Sequence, residues 1–335
     1  MSIAAFVPHA LALSTGTKVA LWIIGALLVS GFLFGVVAVV VASFCVYDLT
    51  LRRKTKEQWG RNPSCDDAAH LKMDAEGMEW HYASIEYKQD VHIVNDGLNL
   101  YGEYYDFGSD KCVMILSGRT ESLRYGYYFA IPYAKAGFNV LVVDPRAHGL
   151  SDGEFNTVGF EESRDVIAWT RFLEETYHLS TVILHGICIG AAGGMYAITS
   201  PECPKCVSGI VTDGMFPNFG ESMKNHLIER KKPVFPIYQM INFWMKHYTG
   251  HSMNYGPFDV IEKLDKPILM FNSLEDLYSL PVYTQKMYDL VKIHQKKLVW
   301  FDHGAHSMLR VTDTQKYDAE ITAFLAEHFT TAAAK

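Results

Sequence analysis

Residues 181–194 read Thr-Val-Ile-Leu-His-Gly-Ile-Cys-Ile-Gly-Ala-Ala-Gly-Gly, and this stretch decides how the rest of the chain is read. An apolar strand runs into Gly186-Ile187-Cys188-Ile189-Gly190, and a helix of small residues follows. A residue held in a sharp strand-to-helix turn is strained, and its neighbours must be glycine so that adjacent backbone can pass. The turn lifts Cys188 above the edge of a sheet and sets it at a helix N-terminus. On either side, short apolar runs alternate with helical patterns. The strands are expected at Cys112–Ser117, Asn139–Asp144, Thr181–His185, Val207–Asp213, Pro267–Asn272 and Lys297–Asp302. Helices are expected at Phe160–Tyr177, Pro281–Lys292 and Asp313–Phe329. Continuous apolar strands with helices between them imply an α/β fold, with a mostly parallel central sheet covered on both faces. Upstream, Ile85–Val94 and Leu98–Phe107 alternate around Asn95-Asp96-Gly97, the signature of a hairpin at one sheet edge.

The chain has 335 residues, 49% hydrophobic and 20% charged, with a net charge of −7. This excludes a disordered tail and a small disulfide scaffold. It gives no basic excess for nucleic acid. Residues 1–18 are expected to be an N-terminal tail. From Val19 to Tyr47 no residue is charged, about 44 Å of helix and enough to cross a hydrocarbon core of ~30 Å. A single transmembrane anchor is expected there, and Gly31-x-x-x-Gly35 is a candidate self-association face. Arg52, Arg53, Lys54 and Lys56 follow the span against Lys18 alone before it, which places the C-terminal domain on the cytoplasmic side. Residues 48–83 are expected to be a charged linker with little regular sheet, and residues 84–335 the α/β domain. Between Asp213 and Pro267 an insertion (residues 214–262) carries two apolar stripes. One is Phe219, Met223 and Leu227; the other is Ile237, Met240, Ile241, Trp244, Met245 and Tyr248. The insertion reads as a small helical cap, with part of the second stripe facing substrate. The Cys203-Pro-Lys-Cys206 pair reads as two loop cysteines.

With these motifs in place the chain resembles the α/β-hydrolase superfamily over residues 85–330. It is most similar to the monoacylglycerol-lipase and lysophospholipase type and to the membrane-anchored depalmitoylase-like branch. Ile115-Leu-Ser-Gly-Arg119 stands where that family has a strand followed by His-Gly. Asp144-Pro-Arg-Ala-His-Gly-Leu-Ser-Asp-Gly153 resembles its arginine loop. Pro267-Ile-Leu-Met-Phe-Asn-Ser-Leu-Glu-Asp276 resembles the strand that delivers the acid, and Asp302-His-Gly-Ala-His306 the loop that delivers the histidine. The resemblance implies a triad of Cys188, His306 and Asp276, with Cys188 in the place usually held by serine. Helix N-termini and imidazoles favour the thiolate form of a cysteine, so the exchange is compatible with catalysis. The other reading is a pseudoenzyme.

His303 and Glu275 are nearby rivals for the base and the acid. His185 and His148 are expected to be structural. The oxyanion donors implied by the resemblance are the backbone N–H groups of Ile189 and Arg119. The Arg119 side chain could meet solvent or an anionic group, and solvent is favoured. Tyr125, Phe216, Met240 and Trp244 are the expected pocket residues. The expected function is a membrane-anchored acyl hydrolase, an esterase, thioesterase or lysophospholipase-like enzyme, acting on a lipid-like or long-acyl substrate. Transfer of the acyl group to another acceptor and an inactive membrane-tethered scaffold are the alternatives. No metal or cofactor is implied.

Overall fold

The computed structural model describes residues 14–63 and 65–329. Residues 1–13 of the expected tail and the last six residues of the expected domain lie outside the described residues.

Helix α1 (Thr15–Leu51) runs 37 residues, about 55 Å. It is longer at both ends than the span expected at 19–47, because nothing breaks helix before the extended residue Arg52. Among the described residues its first half is largely uncovered: Trp22, Leu28, Phe32 and Phe34 are all exposed. It is long and apolar enough to cross a membrane. Its last turns are buried instead, at Ser43, Tyr47, Asp48 and Leu51.

Residues 48–83 are not simply a linker. Arg53 donates to the Ser151 and Gly149 carbonyls, and Arg52 bridges Phe155. Arg61 reaches the buried Glu103 and Asp144 carboxylates at 3.5 and 3.3 Å. Helix α2 (Ala68–Ala83) then follows, capped by Asp67. Its weak apolar periodicity hides it in the sequence, because it buries only a narrow strip: His70, Met73, Gly77 and His81.

The hairpin is β1 (Lys88–Asn95) and β2 (Leu98–Tyr105), antiparallel, with Asp96 and Gly97 both at positive φ as a two-residue turn demands. The remaining strands are β3 (Lys111–Leu116), β4 (Asn139–Val143), β5 (Thr181–Ile187), β6 (Val207–Asp213), β7 (Ile268–Ser273) and β8 (Lys296–Phe301). The sheet order is β1-β2-β4-β3-β5-β6-β7-β8, parallel from β4 onward. Every side chain of β4 and β7 is buried, which is why those strands read as unbroken apolar runs.

Helices α3 (Leu123–Lys135), α4 (Phe160–Tyr177), α5 (Ile189–Ile198), α6 (Phe219–Glu229), α7 (Ile237–Thr249), α8 (Pro281–Leu290), the short α9 (Leu309–Thr312) and α10 (Thr314–His328) complete the chain. Two buried apolar clusters form, one centred on Met114, Leu184 and Trp169 and the other on Ile115, Ile183 and Phe271. Neighbouring strand residues divide between them, as alternation requires. A third cluster joins the end of α1 to the cap: Tyr47 and Leu51 pack with Phe216, Phe219, Ile241 and Met245.

Helix α2 lies on α3 because Gly77 has no side chain. A Cβ there would come within 3.0 Å of the Tyr128 nitrogen and 3.3 Å of the Tyr127 Cβ. Arg124 closes the pair with two bonds to Asp74, at 2.5 and 2.6 Å. Gly77→Val should therefore destabilise the chain by about 1–3 kcal/mol through overpacking. A thermal melt should read this as a loss of about 2–4 °C per kcal/mol. Ala75→Val, at an exposed site on the same helix, should change Tm far less.

Candidate active site

Cys188 sits between β5 and α5 with φ 52° and ψ −111°, a backbone conformation that side chains rarely adopt. Close packing enforces it. A Cβ on Gly186 would lie 2.4 Å from the Ala191 Cα, and one on Gly190 only 2.0 Å from the Leu116 carbonyl oxygen. The Cys188 N–H donates to the Asp213 carbonyl at 2.9 Å, tying the bend to β6. The bend leaves Cys188 partly accessible at the floor of a cavity of about 620 Å³.

His306, in the loop after β8, lines the same cavity. Its Nδ1 meets Asp276 Oδ2 at 2.8 Å. Asp276, in the loop after β7, is fixed through its other oxygen, which accepts from the Tyr278 and Ser279 amides at 2.8 Å each. The second His306 nitrogen, Nε2, is buried and has no hydrogen-bond partner. Burial opposes a charge on this imidazole. The charges of Cys188 and Asp276 outweigh that penalty and raise its pKa well above the ordinary histidine value. Asp276 responds in the opposite sense: burial pushes its pKa up, but the His306 charge and the hydrogen bonds bring it below the usual carboxylate value.

The rivals lie elsewhere. His303 and Glu275 pair with each other at 3.0 Å on the exposed surface. His148 is buried between the Arg146 and Arg119 carbonyls. His185 bridges Tyr133 and Tyr317 in the core, and burial drives its pKa down to about 3, so it stays neutral.

Ile189 begins α5, and Arg119 opens the loop after β3. Among the described residues neither backbone N–H donates to another protein group. Gly118 brings the second loop close, since a Cβ there would lie 3.7 Å from the Cys188 Cβ. Ser117, where the resemblance would place a histidine, turns inward and donates to the Ser122 carbonyl at 3.1 Å.

The cavity walls differ from the sequence expectation. Tyr125 lines the cavity and donates to the Ser307 carbonyl at 2.8 Å. Phe216, Met240 and Trp244 are not among its lining residues. Phe216 is buried in the third apolar cluster beside Phe219, and Met240 is only partly buried. Trp244 packs on Phe44 of α1 at 5.3 Å and donates to Ser43. The second stripe thus meets the end of α1 rather than a ligand, an outcome invisible while α1 is read as a separate anchor. The cap contributes through the first stripe instead: Phe219 and Met223, with Ser222, His226 and Arg230 beside them. Leu49 and Thr50 of α1 complete the wall. The Arg119 side chain does not point away into solvent but lines this cavity and donates to the Thr50 carbonyl at 3.1 Å.

Cys65, Asp67 and His70 also converge, with potential ligand atoms within 4.8 Å of one another. Helix capping accounts for the group: Asp67 accepts from the His70 amide at 2.9 Å and from the Cys65 thiol at 2.6 Å.

Comparison with known proteins agrees with this architecture. An esterase of Pyrococcus furiosus superposes with a TM-score of 0.62 at 20% identity, over 82% of this chain and all of that one. An alpha-beta hydrolase of Vibrio vulnificus gives 0.57 at 17% identity, over 82% of this chain and 100% of its own. The chain has the α/β-hydrolase fold. An esterase of Exiguobacterium antarcticum shares the hydrolase fold at TM-score 0.52 and 17% identity, over 71% of this chain and 100% of that one. In sequence, the uncharacterized protein YqkD of Bacillus subtilis is 29% identical over 208 residues, 61% of this chain. The match spans 66% of that relative, just under two thirds of its length. No family model matches.

A second acid lies under the hydrolase-fold bend. Asp213 is fully buried; its Oδ2 accepts from Tyr317 at 3.0 Å and its Oδ1 has no partner. Burial raises its pKa to about 7, against partial relief from the Tyr317 hydroxyl and His306. An unfolded aspartate ionises near 3.9, so between about pH 4 and 7 only the folded chain keeps this proton. The contribution to stability is full below pH 4 and is lost as pH rises through 7. Asp213→Asn should remove that slope. Its Tm relative to the unsubstituted chain should improve from pH 5 to pH 8, as followed by thermal melts, and a constant difference would show Asp213 to be ionised throughout.

Proposed function

We propose that this protein is a membrane-anchored acyl hydrolase that cleaves esters or thioesters through a covalent intermediate on Cys188. One observation carries the reading: Asp276 holds His306 Nδ1 at 2.8 Å while Nε2 is left unbonded in the cavity shared with Cys188. An orienting acid, an aimed base and a nucleophile on a strained bend make up the arrangement that covalent acyl transfer requires. The esterases of Pyrococcus furiosus and Exiguobacterium antarcticum, which share this fold, support the same reaction class.

In this mechanism the Cys188 sulfur attacks the acyl carbonyl and its proton passes to His306 Nε2. The oxyanion is received by the Ile189 and Arg119 amides, each worth about 10²–10³ in rate in comparable sites. Collapse breaks the bond to the alcohol or thiol, which leaves with the proton from His306. Water then adds to the acyl-cysteine as His306 takes its proton. The C–S bond breaks, the acid departs, and the proton returns to the sulfur.

The anchor in this reading is α1, whose exposed apolar turns suit lipid and whose last turn walls the cavity. An entrance beside the anchor favours a lipid-like or long-acyl substrate. The basic flank from Arg52 to Lys56 favours a cytoplasmic catalytic domain.

Cys188→Ala should lower hydrolysis of short p-nitrophenyl acyl esters by about 10³-fold or more, with unchanged circular dichroism. His306→Gln should fall comparably, and an acyl-electrophile probe should label Cys188 in the unsubstituted chain. Full turnover by Cys188→Ala would refute the nucleophile. Absence of both turnover and labelling would leave a scaffold, and acyl products on added alcohols would indicate transfer rather than hydrolysis.

A further inference from the structure

The cavity holds more positive charge than the proposed hydrolysis uses. Arg119 enters from the loop after β3, and Arg230 and His226 enter from the last turn of α6. Among the described residues neither arginine forms an ion pair. The one side-chain hydrogen bond of Arg119 goes to the neutral Thr50 carbonyl, and Arg230 has none from its side chain. Arg119 is largely buried, and the charges of Cys188 and Glu121 in the same cavity offset only part of the cost of withdrawing its guanidinium from water.

The three groups sense one another. Burial depresses the His226 imidazole first, and the charges of Arg230 and Arg119 depress it further, outweighing Glu229 on the other side. Burial likewise lowers the Arg119 pKa, and Arg230 adds to the effect. Two acids lie near the cluster, Glu121 acting on Arg119 and Glu229 on His226, and each also has another partner. Glu121 lies 3.7 Å from His70 Nε2, and Glu229 accepts from the Tyr278 hydroxyl at 3.0 Å.

The position of the cluster is set by Tyr278. Its ring is 5.4 Å from the His306 ring and 5.7 Å from the His226 ring. Tyr278 thus touches both the proposed base and the His226 edge of the cluster, and all of them line one cavity.

We propose that Arg119, Arg230 and His226 form an anion subsite that receives a phosphate group on the leaving portion of the acyl substrate. This rests on the proposed hydrolase reading and narrows its substrate class to phosphate-bearing acyl esters or thioesters. Two guanidiniums and an imidazole match a tetrahedral dianion better than a planar carboxylate, which one guanidinium already satisfies. Leu49, Phe219 and Met223 give the same cavity an apolar side for the acyl chain.

Binding tests the subsite without turnover. Hexyl phosphate is titrated by calorimetry into the detergent-solubilised full chain, against hexanoate, hexanol and inorganic phosphate. Hexyl phosphate should bind at least about tenfold more tightly than each of the others, the worth of one charge-assisted hydrogen bond. Arg230→Gln and Arg119→Gln should each lose about tenfold or more, and Arg230→Lys should keep most of the affinity. Arg230 is exposed and bonds to no other residue through its side chain, so its variants report binding even if Arg119→Gln misfolds. Equal binding of hexanoate or hexanol would overturn the phosphate assignment, as would an unaltered affinity in Arg230→Gln. Inorganic phosphate binding as tightly as hexyl phosphate would also overturn it, leaving a free-phosphate site. Labelling of Cys188 by an acyl electrophile is a separate readout, so loss of the subsite and loss of the hydrolase reading are told apart.

Discussion

The approach of Gly190 to the Leu116 carbonyl governs the rest of the site. Helix α5 crosses the end of β3 so closely that even a methyl group has no room, and the backbone at Cys188 must turn through a positive φ to make the crossing. A side chain in that conformation costs roughly 1–3 kcal/mol and persists only where packing over-determines it. Here the packing is the centre of the sheet, with β3 and β6 flanking β5. The same crossing places the start of α5 beside the loop after β3, with Gly190 against Leu116 and Ser117 and Gly118 against Cys188. Strain, amide donors and accessibility are consequences of one steric constraint.

The second determinant is the way the N-terminal helix ends. Its apolar turns are exposed among the described residues, but its last two turns belong to the domain: Tyr47 stacks on Tyr248 at 5.5 Å, and Leu51 is fully buried. Arg119 donates to the Thr50 carbonyl, close to the C-terminal end of α1 where helix carbonyls are left without intrahelical partners and carry partial negative charge. The end of the N-terminal helix and the cavity are therefore one packed unit, and the segment from Arg52 to Asn62 is pinned to the domain by Arg53 and Arg61.

What the sequence made legible follows from how local each signal is. The strands of the sheet centre were readable within a residue or two because burial on both faces leaves mostly apolar side chains, with polar residues near the strand ends. The Asn95-Asp96-Gly97 turn was readable because positive φ at two successive positions admits few residue types. Cys188, Asp276 and His306 were marked by motifs at strand ends; Cys188 and His306 line one cavity, and Asp276 lies behind His306 at 2.8 Å. The walls were not legible. Helix α2 depends on Gly77 meeting α3, and the partner that α7 finds in Phe44 and Ser43 lies about 200 residues away in the chain. An amphipathic stripe declares that it will be covered, not by what. Trp244 and Met240 were assigned to substrate for that reason, while Arg230 and His226, at the polar end of α6, gave no periodic signal at all.

The contrast between the two buried acids shows how the fold assigns roles to identical side chains. Asp276 and Asp213 both lie at strand ends near His306, and both are cut off from water. Asp276 accepts two amides and faces an imidazole, three interactions that favour the ionised form. Asp213 accepts one hydroxyl and leaves its other oxygen unpaired, so burial prevails and the proton is retained to about pH 7. Were both ionised, two negative charges would compete for one imidazole and neither would orient it well. Held neutral, Asp213 instead ends a hydrogen-bonded row, Tyr133–His185–Tyr317–Asp213, that braces β5 and β6 beneath the bend. The His306 charge together with the number of hydrogen bonds thus separates the ionised acid beside His306 from the protonated one beneath the bend.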